Sequence, residues 1–109
     1  MNVPPIDELK PKDRAELLVQ KLGERYQNLF EIKPKELRLE LVCHVGGKDI
    51  FPFQVAAFSF DTVILTRQDE NGRPEVTIAA VDQISFALRH SESKGETQTP
   101  VRFGPFVVR

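Results

Sequence analysis

The segment that decides the fold is 37–88, which opens with Leu-Arg-Leu-Glu-Leu-Val-Cys-His-Val (37–45). Apolar residues occupy every second position there, a pattern typical of a strand with one buried face. Gly-Gly-Lys-Asp (46–49) then forms a predicted turn, and a second strand is predicted through 51–57. Because Pro52 has no backbone N–H, we expect that strand to bend or to lie at an edge.

Three further strands complete the segment. The third is predicted over 62–67 and the fourth over 75–80, and the Asn-Gly pair at 71–72 between them is a strong hairpin signal. The fifth is predicted from the alternation of Ile84, Phe86 and Leu88. Five short strands in this order favour a compact, strongly bent antiparallel barrel.

One helix is predicted before the strands. Pro11 opens it, since the first helical position needs no N–H donor, and the helix ends near Phe30 because Pro34 prevents continuation. One apolar stripe repeats at helical spacing: Leu18, Leu22, Tyr26 and Leu29. The predicted fold class is therefore mostly β, with an N-terminal α-helix followed by a five-stranded small barrel.

The predicted organisation is a single domain with two appendages. Residues 1–10 form a flexible arm, 11–90 the helix-plus-barrel domain, and 91–109 a polar linker with an apolar tail. We expect the tail, from Val101 onward, to add a strand to a sheet edge or to dock a protein partner.

Composition and charge exclude several classes of protein. The 109 residues are 40% apolar and 28% charged, as in an ordinary globular domain, and the net charge of −1 gives no general attraction to nucleic acid. No apolar run approaches the ~20 residues of a membrane span. The N-terminal residues lack the basic and apolar parts of a signal peptide, and a single cysteine excludes an internal disulfide. We expect a cytoplasmic protein without membrane contacts.

Two segments carry a resemblance to a known family. Gln-Val-Ala-Ala-Phe-Ser-Phe-Asp-Thr-Val-Ile-Leu (54–65) resembles the strand Gly-Gln-Ile-x-x-Phe-Asp-x-Phe-Val-Ile-Leu of the Hfq branch of the Sm-like family. Val-Thr-Ile-Ala-Ala-Val-Asp-Gln-Ile (76–84) is similar to that family's valine-rich strand, one-turn break and final strand. The turn at 46–48 also matches, so the resemblance covers about half the chain. Other small five-stranded barrels, such as the SH3-like group, stay an open alternative to Sm-like closure.

The resemblance implies a ring of subunits that binds RNA, in post-transcriptional regulation or RNA chaperoning. The fourth strand of one subunit would pair with the fifth strand of the next, which removes two exposed edges at once. Two departures make this chain a divergent member. Phe53 replaces the family's small residue in the second strand, and 78–80 (Ile-Ala-Ala) offer no ring or phosphate donor where the family has a basic, histidine-bearing motif.

Candidate RNA contacts lie on the helix, in the first turn and at the start of the third strand. They are Lys12, Arg14, Lys48, Phe60 and Asp61. The cations would meet phosphates, and Phe60 is the counterpart that the resemblance implies for the aromatic ring of the family's uridine pocket.

Simpler interpretations of the same residues stay open. Acidic residues interleave the helix cations, as on a solvated helix face. Asp61 is equally typical of a turn residue that caps local N–H groups. Phe51, Phe53 and Phe58 are further stacking candidates, but phenylalanines at alternating strand positions commonly belong to the core.

No pattern predicts a catalytic or metal site. Cys43 and His44 are strand neighbours, so their side chains diverge, and Cys43 lies in the apolar register as a small core residue. His90 has no metal-ligand spacing to either. We therefore predict a non-enzymatic protein without a cofactor. The alternatives are a protein-interaction or assembly module that has lost RNA binding, and an enzyme that uses Cys43 or a carboxylate.

Overall fold

A computed structural model describes residues 14–93, 95 and 97–104 of the protein. The elements are α1 (Arg14–Ile32), β1 (Leu37–Val45), β2 (Lys48–Ile50), β3 (Gln54–Ser59), β4 (Thr62–Gln68), β5 (Pro74–Ala80), a 3-10 turn (Val81–Gln83), β6 (Ile84–Glu92) and β7 (Arg102–Phe103). The prediction of a mostly β protein with an N-terminal helix is confirmed. Within the described residues, no helix combines the length and the apolar character needed to cross a bilayer.

The strands form two sheets. One has the order β2-β1-β6 and the other the order β5-β4-β3-β7. The strand predicted over 51–57 begins only at Gln54, and residues 48–50 form the separate strand β2, so the prediction of a turn over 46–49 is wrong for Lys48 and Asp49. Pro52, which has no ladder donor, lies between these strands, where the chain passes from the first sheet to the second. The predicted five-stranded barrel is not confirmed, because the strands lie in two sheets rather than in one closed barrel.

The longest pairing joins β1 to β6. These strands are antiparallel over their whole length, from Leu37 opposite Glu92 to Val45 opposite Ile84. The inward side chains that were predicted from the alternation are buried in the centre of β1, and His44 is exposed on the other side. The period of two therefore located this strand correctly. The fifth strand runs to Glu92, two residues into the segment predicted as a linker.

The predicted Asn-Gly hairpin joins β4 to β5. Gly72 has a φ of +75°, which favours glycine, and its N–H donates to the Asp69 carbonyl oxygen. The Asp69 carboxylate accepts hydrogen bonds from the N–H groups of Asn71 (2.8 Å) and Arg73 (2.9 Å). The aspartate that caps a turn through its side chain is thus Asp69, a residue that the sequence interpretation did not single out.

Replacing Asp69 with alanine should therefore destabilise the hairpin. Two hydrogen bonds to backbone N–H groups are lost at an exposed site, and we expect the free energy of unfolding to fall by about 1 kcal/mol. Urea denaturation followed by circular dichroism measures it. Glu70→Ala, in the same loop, is the control and should change it by less than about 0.5 kcal/mol. Equal effects of the two substitutions would contradict the capping role.

Helix α1 packs mainly against the second sheet. Ala15, Val19 and Tyr26 are its fully buried side chains, and Leu22 and Leu29 are partly buried. The buried face thus shares Tyr26 with the predicted stripe but is centred toward Ala15 and Val19 rather than toward the predicted leucines, which are only partly buried. The helix ends at Ile32, two residues after the predicted end, and its predicted start at Pro11 lies outside the described residues.

The two sheets share the core with the helix. The other fully or almost fully buried apolar residues are Leu39, Leu41, Val42, Cys43, Ile50, Val55, Val63, Leu65 and Ala79. Most of them come from β1, β3 and β4, the inner strands of the two sheets. The core therefore lies between the sheets and beneath α1.

The C-terminal segment 97–104, which we call the strap, crosses the gap between the sheets. Its β7 pairs parallel to β3, with Gln54 opposite Arg102 and Val55 opposite Phe103. The prediction that the tail adds a strand to a sheet edge is confirmed for these residues, whereas 105–109 and the arm 1–10 lie outside the described residues.

Candidate nucleic-acid interface

One end of the molecule gathers three of the predicted site residues. The turn at 59–62 is held between α1 and the 3-10 turn by two backbone hydrogen bonds. The Ala15 N–H donates to the Phe60 carbonyl oxygen and the Val81 N–H to that of Asp61, both at 2.8 Å. Arg14 is exposed at the start of α1 and directly precedes Ala15. Arg14, Phe60 and Asp61 therefore lie at the same end, here called the aromatic end.

Two phenylalanine side chains are exposed at the aromatic end. The register of β3 against β4 shifts between Ala57 and Ser59, which makes Phe58 the irregular residue. A bulge of this kind turns a side chain away from its regular direction. Phe58 is 59% exposed and Phe60 is 48% exposed. Both rings are accessible to a flat partner such as a nucleic-acid base.

The core interpretation is wrong for Phe51, Phe53 and Phe58, which are exposed, whereas Phe86 of β6 packs against the core. Phe51 and Phe53 are also largely exposed, because they lie in the break between β2 and β3. The guanidinium of Arg89 lies 5.4 Å from the centre of the Phe51 ring, and its Nε donates to the Glu40 carboxylate at 3.1 Å. Phe51 is therefore covered in part by a cation, whereas no described cation lies over Phe58 or Phe60.

Lys48 directly follows the turn at 46–47. It is the exposed first residue of β2 and pairs with Val45, which in turn lies opposite Ile84 in β6. Ile84 directly follows the 3-10 turn that contacts Asp61. Lys48 thus lies near the same end but on the other sheet. Lys12, the remaining predicted contact, lies outside the described residues.

The charge around the aromatic end is mixed. Arg14 and Lys48 are exposed cations, whereas Asp61 is half-buried and Asp82 is exposed in the 3-10 turn. Asp49, beside Lys48, is partnered by His44, whose Nδ1 lies 2.9 Å from the Asp49 Oδ1. Among the described residues, the aromatic end therefore offers few exposed cations to an anionic partner.

Cys43 lies in the core, away from the aromatic end. Its side chain is fully buried, and this burial raises the pKa of the thiol to about 12. A thiol in such surroundings is a poor nucleophile, because the thiolate is the reactive form. Within the described residues, no group of three His, Cys, Asp or Glu side chains is arranged to hold a metal ion.

The thiol should consequently be almost unreactive in the folded protein. With a pKa of about 12 instead of 9.0, we expect Cys43 to react with an aromatic disulfide at pH 8 roughly 1000-fold more slowly than in urea-unfolded chain. The free energy of unfolding should also fall as the pH rises from 9 toward 12, because the unfolded thiol loses its proton first. Rapid labelling of the native protein would contradict the buried position.

The phenol of Tyr26 is the other buried group with a shifted pKa. Burial raises this pKa, and the hydrogen bond from the Val101 N–H, together with the nearby Arg38 cation, lowers it by less. The phenol oxygen accepts that hydrogen bond at 3.1 Å. Tyr26 therefore joins helix α1 to the strap and has a structural role.

Comparison of the chain with models of protein families, with curated proteins and with solved structures gives no match.

Proposed function

We propose that this protein is a ring-forming, non-enzymatic RNA-binding protein of the Sm-like type, related to Hfq. The order of the strands supports the proposal. β1 pairs with β2 and β6, and β3, β4 and β5 follow as an antiparallel meander. In this interpretation β2 and β3 are the two halves of one bent strand, and the two sheets are the walls of a small open barrel.

The observation that carries the proposal is the pair of free sheet edges. β5 is the outer strand of one sheet and β6 is the outer strand of the other. Val76 and Ile78 of β5 are each 52% exposed, so this edge strand also offers apolar side chains. Unpaired edges of this length favour pairing with another chain, and pairing β5 of one copy with β6 of the next covers both of these edges around a closed ring, while the short strands β2 and β7 stay at the other edges of the sheets.

RNA binding is assigned to the aromatic end. The exposed rings of Phe58 and Phe60 are suited to stack on bases, and Arg14 and Lys48 are available to phosphates. Repetition of this end around a ring multiplies a few contacts per chain into a continuous surface. Since each copy supplies few cations, the expected binding tolerates many sequences and weakens with salt.

A second candidate function is an assembly module without RNA binding. The mixed charge at the aromatic end and the net charge of −1 favour it. So does the segment Ile-Ala-Ala (78–80), whose middle residue Ala79 is buried and which carries no basic group. Such a module keeps the free edges of β5 and β6. It therefore differs from the first candidate only in that it does not bind RNA.

Titration of the full chain with RNA separates these two candidates. Labelled uridine-rich and adenine-rich oligonucleotides are added at 50 mM and 200 mM salt, about the range over which phosphate contacts lose much of their affinity, and fluorescence anisotropy is recorded. Binding of either RNA that weakens with salt supports the RNA-binding protein. Absence of binding at the lower salt concentration removes that function and leaves the assembly module.

Substitution of Phe60 tests the aromatic end itself. Loss of one stacking ring should cost about 1–3 kcal/mol of binding free energy, and the free energy of unfolding should change little because the ring is half exposed. Phe51→Ala is the matched control, since Phe51 is 46% exposed but lies in the break between β2 and β3. Equal RNA affinities for Phe60→Ala and the unmodified chain would show that bases do not stack there.

A further inference from the structure

The strap lies in a groove between the two sheets. The beginning of the strap, at Gln98, is bound by strand β1. The Gln98 side-chain amide donates to the Leu39 carbonyl oxygen at 2.6 Å and accepts from the Leu39 N–H at 2.8 Å. β2 pairs with β1 only at 43–45, so Leu39 lies beyond the end of β2. One side chain therefore satisfies both backbone groups of a β1 residue, as a neighbouring strand would.

The other end of the groove binds main chain. The Arg102 N–H donates to the Phe53 carbonyl oxygen at 2.9 Å, and the Gly104 N–H donates to that of Val55 at 2.8 Å. The Gln54 side-chain amide in turn donates to the Gly104 carbonyl oxygen at 2.9 Å. This is the pattern of a peptide that adds a strand to a sheet edge, in which main-chain bonds supply affinity and side-chain pockets supply specificity.

A pocket for one aromatic side chain supplies that specificity. The Phe103 ring lies against Tyr26 of α1, with 5.3 Å between ring centres. On the helix side, a Cβ placed on Gly23 would lie 3.0 Å from the Cβ and Cγ of Phe103. Glycine inside a helix costs roughly 1 kcal/mol relative to alanine, and the space it leaves here is filled by Phe103. The groove is thus shaped for a strand with an aromatic residue at this position.

The strap is bound as a tethered ligand. Among the described residues, its hydrogen bonds go to Tyr26, to Leu39 and to the segment 53–55, and none goes to β6, the strand that precedes it in the chain. A strap delivered by another chain would keep every one of these contacts. The only sequence whose complementarity to the groove is established is the strap itself, which each copy of the protein carries.

We propose that this groove is a peptide-binding site that accepts residues 97–104 of a second copy of the chain in exchange for its own. Exchange of an identical element is a route to association that needs no new complementary surface. The inference is independent of RNA binding, and it uses the edge of β3 rather than the edges of β5 and β6.

A labelled synthetic peptide, Thr-Gln-Thr-Pro-Val-Arg-Phe-Gly, serves as the probe, and the full chain is the receptor. In the unmodified chain the tethered strap competes for the groove. In Phe103→Ala this competition is weakened, so we expect the peptide to bind roughly tenfold more tightly, in proportion to the fraction of open grooves. Adding Gly23→Val should abolish the gain, because the valine side chain occupies the space of the ring.

Matched controls accompany these variants. Lys21→Val in the Phe103→Ala chain adds the same side chain at an exposed helix position and should keep the tighter binding. A peptide with alanine in place of phenylalanine should bind weakly to every variant. If Phe103→Ala does not fold, Gln98→Ala weakens the strap through a different contact and takes its place. Equal binding by all chains, or no binding by a folded strap variant, would overturn the proposal.

A second measurement identifies the second copy as the donor. Isotope-labelled and unlabelled full-length chains are mixed at high concentration, and nuclear Overhauser effects are recorded between labelled Tyr26 and unlabelled Phe103. Exchange predicts these intermolecular contacts in the mixture. If the peptide binds but only contacts within one chain are found, the groove accepts a peptide without exchange between copies, and the assignment of the donor is overturned.

Discussion

Leu65→Ala is expected to lower the free energy of unfolding by about 2–5 kcal/mol, the usual range for removing a leucine side chain from a packed core. Leu65 is fully buried in β4, an inner strand, where it lies opposite Val55 of β3 and Thr77 of β5. The shortened side chain leaves a cavity. The neighbouring strands β3 and β5 cannot move in to fill it, because both are hydrogen-bonded to β4. Urea denaturation followed by circular dichroism gives the change.

Val76→Ala is the control for this substitution. Val76 lies on β5 of the same sheet but is 52% exposed, so its truncation should change the free energy of unfolding by less than about 0.5 kcal/mol. A loss below 1 kcal/mol for Leu65→Ala would mean that β4 does not lie at the centre of the core.

The double substitution Val76→Lys and Ile78→Lys is expected to abolish assembly. Both side chains lie on the same face of the edge strand β5, which the proposed ring joins to β6 of the next copy. Each interface between two copies would then contain two added ammonium groups. These groups would be desolvated on association without a carboxylate to pair with. Light scattering coupled to size-exclusion chromatography should give the 12.4 kDa mass of one chain.

A charge-matched control separates the edge from the total charge. Gln68→Lys and Asn71→Lys add the same two charges at exposed positions near or in the β4–β5 hairpin loop. This variant should keep the mass of the unmodified protein. Circular dichroism should show both variants folded, because all four positions are exposed. Persistence of the assembled mass in the β5 variant would show that β5 is not at the junction.

Local patterns were sufficient to predict the regular strands. The alternation in 37–45 located β1 and the orientation of its side chains, and the Asn-Gly pair at 71–72 located the hairpin, because both features are encoded by neighbouring residues. Pro52 marked the position where the strand breaks. That the break divides the strands into two sheets depends on contacts between distant segments, which no local pattern reports.

The strap shows most clearly what local patterns omit. Gln98 lies in a polar stretch that resembles a linker, yet its amide binds the backbone of Leu39, 59 residues away in the sequence. Gly23 likewise lowers the intrinsic stability of the helix, and the sequence gives no reason for it. In the structure, Phe103 occupies the space where a side chain at position 23 would lie. Both residues have their role only in the tertiary structure.

The candidate site was predicted in part. The strand pattern located Phe60 and Asp61 at a turn. Their proximity to Arg14 results from the hydrogen bond between the Ala15 N–H and the Phe60 carbonyl oxygen, which no local pattern predicts. Phe58 directly follows Ala57, which packs against the core, so a period of two already directs its side chain outward, and the register shift in β3 falls at this residue. Phe51 and Phe53 alternate with the buried Val55, yet both are exposed, because they lie in the break between β2 and β3.

The most direct test of the account is the mass of the full-length protein in solution, measured by native mass spectrometry over a range of concentrations. In the proposed ring, the outer strand β5 of each copy is paired with the outer strand β6 of the next. This arrangement predicts a single assembled mass that is an integer multiple of 12.4 kDa and persists on dilution. A mass of one chain at every concentration would contradict it.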